Sequence, residues 1–324
     1  MPTITVRQAI QEALREEMRR DERVFLMGED IAYYGSAYGV TKGFVEEFGE
    51  KRVKDTPISE TAIVGAATGA ALGGLRPVPE IMSINFALQA MDQVINHTAK
   101  LSYMFNGQMR VPMVLRTPSG WSQLSATHSQ TLELYFAYAP GLKVVMPSTP
   151  YDHKGLLKSA IRDDDPVIFI EHALIYGTKG EVPEEEYLIP IGKSVVRRPG
   201  KDVTVVSYSR MALAAMEAAE ELAKDGIDVE VIDLRTLRPL DMEPVIESVM
   251  KTNRAIVAEE GWKSFGIGAE VTSRIYEEAF DYMDAPVRRV AGIETPGAPY
   301  NKHLEQAVFP HKANIIQAVR EVLR

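Results

Sequence analysis

Apolar residues recur along this chain with two alternating periods, and that alternation predicts the elements before any motif is considered. Residues 5–20 place Ala9, Ile10, Ala13 and Leu14 on one helix face, with many charges opposite. Short apolar runs at Val24–Gly28, Val78–Met82, Val111–Arg116, Leu142–Met146 and Val167–Glu171 predict strands, as does a run from Val53 closed by Asp55-Thr56-Pro57. Helices are expected over 59–73, 86–104 and 154–162. The rest of the chain repeats the theme. Strands are expected at Val203–Tyr208, Val229–Asp233, Ala255–Glu259 and Val287–Val290, and helices at 211–225, 241–251, 266–280 and 312–323. Strands alternating with helices imply parallel sheets covered on both faces. The expected fold class is therefore α/β, with two doubly wound domains. The segment Lys179–Tyr187 carries three consecutive acids and no apolar period, so it reads as an exposed excursion. It sets a boundary near residue 190, giving domains 1–190 and 191–324.

A length of 324 residues suits two such domains. Asp and Glu number 45 against 36 Lys and Arg, a net charge of −9 that argues against a protein built to neutralise nucleic-acid phosphates. With no cysteine, a disulfide scaffold, a thiolate nucleophile and a cysteine-ligated zinc site are excluded. The six histidines form no H-E-x-x-H pair. Met1–Arg7 has no apolar signal core, and no apolar run approaches the roughly 18 residues that span a bilayer. A soluble, cytoplasmic protein without nucleic-acid or membrane partners is expected. Its chemistry must come from carboxylates, imidazoles, hydroxyls or a borrowed cofactor.

Three features are candidates for that chemistry. Ser59 suits an N-cap, which puts Glu60 in a first helical turn beyond a strand's carboxyl end, where ligands bind in open α/β sheets. An acid there is equally explained by the helix macrodipole. Gly65, Gly69 and Gly73 follow at a spacing of four, beside Ala62, Ala66 and Ala70. Each helical glycine costs roughly 1 kcal/mol against alanine, so the stripe implies close packing, within the chain or against another. His128 lies in a polar loop after a strand, ahead of a helix expected near Ser129. Imidazole suits proton transfer near neutral pH, although a lone loop histidine is commonly just surface. No Walker loop, dinucleotide-binding G-x-G-x-x-G or G-x-S-x-G elbow is present, and Gly266-Ile267-Gly268-Ala269 is only a fragment of a glycine turn.

A succession of collinear blocks adds to this reading. They include Gly28-Glu29-Asp30, Arg52–Glu60, Gly74–Glu80, Met91–Asn96, His128-Ser129-Gln130, Pro140–Val145, Lys154–Leu157, Ile189–Lys193, Asp233–Thr236 and Pro239-Leu240-Asp241. Through them the chain resembles, along nearly its whole length, the β subunits of the thiamine-diphosphate-dependent 2-oxo acid dehydrogenases. Glu259–Gly266 resembles the pyruvate type most, ahead of the acetoin and branched-chain types.

The resemblance implies a pyrimidine-binding transketolase-like domain followed by a transketolase-like C-terminal domain. It implies thiamine diphosphate bound between this chain and an α subunit in an α2β2 assembly, with Mg2+ held mainly by the α subunit. The chain has no Gly-Asp-Gly diphosphate motif, as befits the β half. Glu60 matches the glutamate that binds the aminopyrimidine ring nitrogen, and Ile58, Met82 and Phe86 match the apolar walls around that ring. His128 matches the histidine associated with acyl transfer to lipoamide. Met113, Ala160, Ile161, Asp163 and Asp165 match a potassium loop, in which Asp165 replaces the usual asparagine. Arg162 and Asp164 equally suit an ordinary solvated turn there. The C-terminal domain is expected to help build the tetramer and to dock a dihydrolipoyl acyltransferase through its subunit-binding domain, with the lipoyl domain visiting the site. A non-catalytic assembly subunit and a dinucleotide-binding module are the competing readings. Intact Glu60 and His128 speak against the first, and the missing glycine fingerprint against the second.

Overall fold

The computed structural model describes residues 1–324. The chain divides into two units, Met1–Ser119 with Tyr135–Ile191, and Gly120–Leu134 with Gly192–Arg324. The second unit thus includes a segment from the first half of the chain, Gly120–Leu134, which no break in the apolar pattern sets apart.

The first unit contains β1 (Thr3–Thr5), α1 (Val6–Arg20), β2 (Val24–Gly28), α2 (Phe44–Phe48), β3 (Val53–Asp55), α3 (Glu60–Leu72), β4 (Arg76–Glu80), α4 (Leu101–Met104) and β5 (Val114–Ser119). The chain returns to it through α5 (Glu133–Ala137) and continues with β6 (Lys143–Val145), α6 (Pro150–Arg162), β7 (Val167–His172) and β8 (Lys179–Glu181). Strands β6-β7-β5-β4-β2-β3 stand in that order, all parallel.

Helix α1 starts at a reciprocal cap. The Thr5 hydroxyl accepts from the Gln8 N–H at 3.2 Å while Gln8 Oε1 accepts from the Thr5 N–H at 2.8 Å. Thr149 caps α6, with Pro150 in its first turn. The charged side of α1 does not simply face water. Lys154 and Lys158 of α6 are 3% and 1% exposed and bond Glu12 and Glu16, while Arg162 bonds the buried Glu17. Charges opposite an apolar stripe therefore mark a second packed face here.

Strand limits also follow partners more than composition. β4 is in register with β2 from Arg76 to Glu80, so it ends before Met82, and β5 pairs with β7 over Val114–Ser119 rather than from Val111. The helix expected over 86–104 is interrupted. A 3-10 turn at Phe86–Ala90 and a wide π turn at Gln93–Thr98 precede α4. The irregular stretch lies against α3, where the Thr61 hydroxyl donates to Gln89 O at 2.6 Å and the Thr68 and Thr98 hydroxyls meet at 2.7 Å. Such π turns accommodate local packing that a regular helix cannot. In the glycine stripe, Gly65 admits Gln93, Gly73 ends the helix, and Gly69 has nothing within 4 Å. The excursion at 179–187 is partly structured, because β8 pairs antiparallel with β1 and Tyr187 stacks on Tyr151 at 4.5 Å.

The second unit contains β9 (Val195–Arg198), β10 (Val203–Ser207), α7 (Ser209–Ala223), β11 (Val229–Asp233), β12 (Thr236–Arg238), α8 (Glu243–Thr252), β13 (Ala255–Trp262), α9 (Ile267–Ala279), β14 (Arg288–Gly292), α10 (Lys302–Val308) and α11 (Lys312–Val322). Its five-stranded sheet has the order β14-β13-β10-β11-β9, with only β9 antiparallel. Met211, Ala215 and Leu222 of α7 join Ile315 and Val319 of α11 on Val205, Val231 and Ile256 of the sheet. Helices α8 and α9 pack on β10 and β13. No helix is long and apolar enough to cross a membrane.

Two glycines should respond oppositely to alanine. Gly141 has φ +99°, and a Cβ there would lie 2.0 Å from Ala99 O, so Gly141→Ala is expected to cost at least about 2 kcal/mol. Gly69→Ala meets nothing and removes a helix-interior glycine, so it should stabilise the isolated chain by about 0.5–1 kcal/mol. Denaturant midpoints of the two variants check both signs.

Candidate functional site

In the first unit the carboxyl ends of β4, β2 and β3 lie side by side, Gly28 opposite both Glu80 and Asp55. Gly28 permits this closeness, since a Cβ on it would fall 2.6 Å from Glu80 O. The loops leaving these ends deliver Glu29, the Ile58–Glu60 turn, and Met82 with Phe86. Four residues singled out in the sequence, Ile58, Glu60, Met82 and Phe86, thus come from one edge of one sheet, where open α/β folds bind ligands.

Ser59 occupies the N-cap position of α3, but its hydroxyl makes no capping bond. Glu60 is the first helical residue and is buried at 8% exposure, whereas Ile58 is 82% exposed. Met82 and Phe86 are half-buried. Glu29 and Glu80 are buried beside this turn. Burial, reinforced by Glu60, Asp30 and Glu80, holds the Glu29 carboxyl above the usual carboxylate range, and its Oε1 has no hydrogen-bond partner.

Behind the acids stands Arg116 of β5, 2% exposed. Its guanidinium bonds Glu80 at 2.8 Å and Glu171 of β7 at 2.6 Å. Burial opposes its charge, but Glu171 and Glu80 outweigh that and hold it firmly protonated. The Tyr176 hydroxyl donates to the other Glu171 oxygen at 2.5 Å, and the Tyr176 ring stacks on Tyr38 at 4.8 Å.

The site has the chemistry an aminopyrimidine requires. It offers a buried carboxylate for a ring nitrogen, an unpartnered carboxyl oxygen beside it, and apolar side chains for the ring faces. The residues present therefore fit that end of thiamine diphosphate. No group of three or more His, Asp or Glu side chains is placed to hold a metal ion.

His128 lies in the second unit, exposed on the loop Gly120–Leu134. The loop is closed at its base by the Gly120 N–H donating to Gln130 O at 3.0 Å. Inside it, the Ser122 hydroxyl bonds His128 O, and Ser129 Oγ accepts from the Leu124 N–H. Gln123 and Ser125 take positive φ, so side-chain bonds rather than backbone preference shape the loop. The Thr127 hydroxyl is 3.1 Å from His128 Nδ1. The helix expected near Ser129 starts only at Glu133, and Ser129 and Gln130 bond within the loop instead.

The acceptors of the expected potassium loop are met by the protein. Arg76 donates to the carbonyls of Ile161 and Asp163 at 3.0 and 2.9 Å, Lys143 bonds Asp163 at 2.7 Å, and Arg110 bonds Asp165 at 2.7 Å. The Met113 and Ala160 carbonyls accept from the Val167 and Asp163 N–H groups. Each of these carbonyl oxygens has two lone pairs, so the bonds do not decide between an ion-pair cluster and an ion's cage, and no step below uses the ion.

Pattern reading of the sequence gives no role to Glu29, Glu80, Arg116, Glu133 or Glu171. A signal exists for most of them: a charged residue inside an apolar strand, as in Val114-Leu115-Arg116 or Phe169-Ile170-Glu171, is buried only when paired.

Residues 2–178 match the family model of the transketolase pyrimidine binding domain, and residues 192–315 match that of the transketolase C-terminal domain. The chain is 50% identical to the pyruvate dehydrogenase E1 component subunit beta of Rhizobium meliloti (strain 1021), over 99% of this chain and 70% of that protein. It is 50% identical to the same subunit of Rickettsia bellii (strain RML369-C), over 98% of each. The mitochondrial subunit of Homo sapiens is 48% identical, over 99% of this chain and 90% of its own length. Among solved structures, a split gene transketolase, an inactive beta4 tetramer, aligns with a TM-score of 0.81 at 22% identity, over 99% of this chain and 98% of its own. That likeness shows the fold, two transketolase-like α/β domains.

Removing Arg116 would leave two buried carboxylates without a cation. Arg116→Ala is expected to cost about 3–5 kcal/mol in chemical denaturation, and adding Glu80→Gln with Glu171→Gln should recover part of that loss.

Proposed function

Because this chain belongs to the family of pyruvate dehydrogenase E1 component β subunits, we propose that it forms half of an active site for the oxidative decarboxylation of pyruvate. The site is completed by an α subunit in an α2β2 assembly. The acyl fragment leaves to the lipoyl group of a dihydrolipoyl acyltransferase, whose subunit-binding domain docks on the C-terminal unit. The observation that carries the reading is Glu60, a buried carboxylate at the strand edge of a pyrimidine-binding domain, in a chain about half identical to such subunits from end to end.

Thiamine diphosphate, when bound, supplies the carbon nucleophile that attacks the 2-oxo carbon. Glu60 holds a proton at the aminopyrimidine ring nitrogen, which a carboxylate removed from bulk water does effectively. Ile58, Met82 and Phe86 pack on the ring and exclude water. The 82% exposure of Ile58 in the single chain fits a wall whose other side another molecule supplies. Glu29, kept toward its neutral form by burial and by Glu60, limits the negative charge that the site accumulates. His128 provides a proton during acyl transfer to lipoamide. When the Thr127 hydroxyl donates to Nδ1, Nε2 is the nitrogen that carries the proton. On this reading Mg2+ and the diphosphate are held mainly by the α subunit, and the assembly works in the cytoplasm.

Co-expression with the α subunit, followed by 2-oxo-acid-dependent reduction of an artificial electron acceptor, tests the assignment. Turnover should be fastest with pyruvate. Glu60→Gln should lower kcat by about 100-fold or more with little change in stability. Absence of activity with every 2-oxo acid would remove the function, and a fully active Glu60→Gln protein would remove the mechanism.

A further inference from the structure

The loop that carries His128 is fastened to the second unit at two places. At its start, the Trp121 N–H donates to Glu260 Oε1 at 2.5 Å, and the Trp121 ring stacks on Phe309 at 5.3 Å. At its end, the Tyr208 hydroxyl donates to Glu133 Oε1 at 2.9 Å. Glycines let the loop approach: a Cβ on Gly261 would meet Thr131 Oγ1 at 3.0 Å, and one on Gly297 would meet Ala126 at 2.7 Å.

The second fastening is the unusual one. Glu133 is 3% exposed, and its Oε2 has no hydrogen-bond partner. Its own backbone N–H and the Tyr208 hydroxyl are the donors that face it, and the carboxylates of Glu259 and Glu260 lie near. The cations of the neighbourhood are committed elsewhere. Arg289 of β14 bonds Glu259 at 2.7 Å, and the Gly268 N–H at the start of α9 bonds its other oxygen. Arg210 of α7 bonds Glu260 and lies over Trp121, whose ring meets that of His311 at a steep angle.

We propose that Glu133 is a positioning residue for the His128 loop, whose buried carboxyl fastens the loop when protonated and loosens it when ionised. This rests on the reading that His128 serves acyl transfer, and it concerns how firmly that residue is presented. Burial, with Glu259 and Glu260 adding to it, pushes the Glu133 carboxyl up to about 7. A glutamate released to water titrates near its ordinary value of about 4.3. The sign follows by linkage. The docked form binds the proton more tightly, so docking is strongest below the ordinary value. It weakens as pH rises toward about 7 and is constant above. Between pH 6 and pH 8 the opening equilibrium of the loop should rise about tenfold.

Amide hydrogen exchange of residues 120–134 in the assembled α/β protein, corrected for intrinsic rates, reads that equilibrium directly. The wild-type protein should show the tenfold rise between pH 6 and pH 8. Glu133→Gln, which keeps the acceptor and removes the charge, should be flat and more protected at pH 8. Tyr208→Phe deprives the charged form of a donor, so its transition should move to higher pH. It gives a second readout should Glu133→Gln not fold. A wild-type loop without pH dependence, or a slope unchanged in Glu133→Gln, overturns the proposal. Transfer to lipoamide, measured beside artificial-acceptor turnover, separates the two readings. If Glu133→Gln flattens exchange while transfer keeps its wild-type pH profile, the fastening stands and the role of His128 falls.

Discussion

The Arg116 guanidinium is the interaction on which the first unit depends. It sits on a strand near the middle of the parallel sheet and reaches acids on the strands to either side, Glu80 and Glu171. An ion pair so deeply buried contributes little net stability, because desolvation offsets attraction, but losing one member is costly. What the arrangement secures is geometry. Glu80 is held beside Gly28 and the buried acids Glu29 and Glu60, so the carboxyl edge of the sheet can concentrate negative groups without coming apart. Tyr176 extends the support outward and spares Glu171 an unpaired oxygen.

The second unit meets a similar problem with different means. Glu259 is taken up by an amide at the start of α9 and by Arg289, and Gly266 and Gly268 are glycines because a Cβ on either would lie 2.5 Å from that carboxylate. Glu260 is taken up by Arg210 and by the Trp121 amide. Glu133 is left with a tyrosine hydroxyl and its own backbone N–H. One unit thus holds Glu80 and Glu171 on a single buried arginine, while the other leaves Glu133 without a cationic partner.

Much of this is legible in the sequence, for identifiable reasons. The α/β alternation is plain because both sheets are buried on two faces, which makes each strand a short apolar run. The place of Glu60 in a first helical turn is legible because Ser59 after a short strand marks a helix start. Less legible are features fixed by partners distant along the chain. The charged face of α1 is indistinguishable from a solvated face until Lys154 and Lys158 arrive from α6. The allegiance of residues 120–134 is decided by Phe309, Tyr208 and Glu260, none of which any local period could announce. At the expected potassium loop, Lys143 and Arg110 meet Asp163 and Asp165 from elsewhere in the chain, partners that the matched positions alone do not include.

The packing of Trp121 has an optical consequence. The chain has only two tryptophans, Trp121 and Trp262, and both belong to the second unit. Trp121 contacts Phe309, the Arg210 guanidinium and the His311 ring, an environment whose charge and ring contacts set the colour and yield of indole emission. Light that excites tryptophan selectively is therefore blind to the half of the molecule that carries Glu60. It reports instead on the base of the His128 loop, so the protein comes with an unlabelled fluorophore already placed where that loop is fastened.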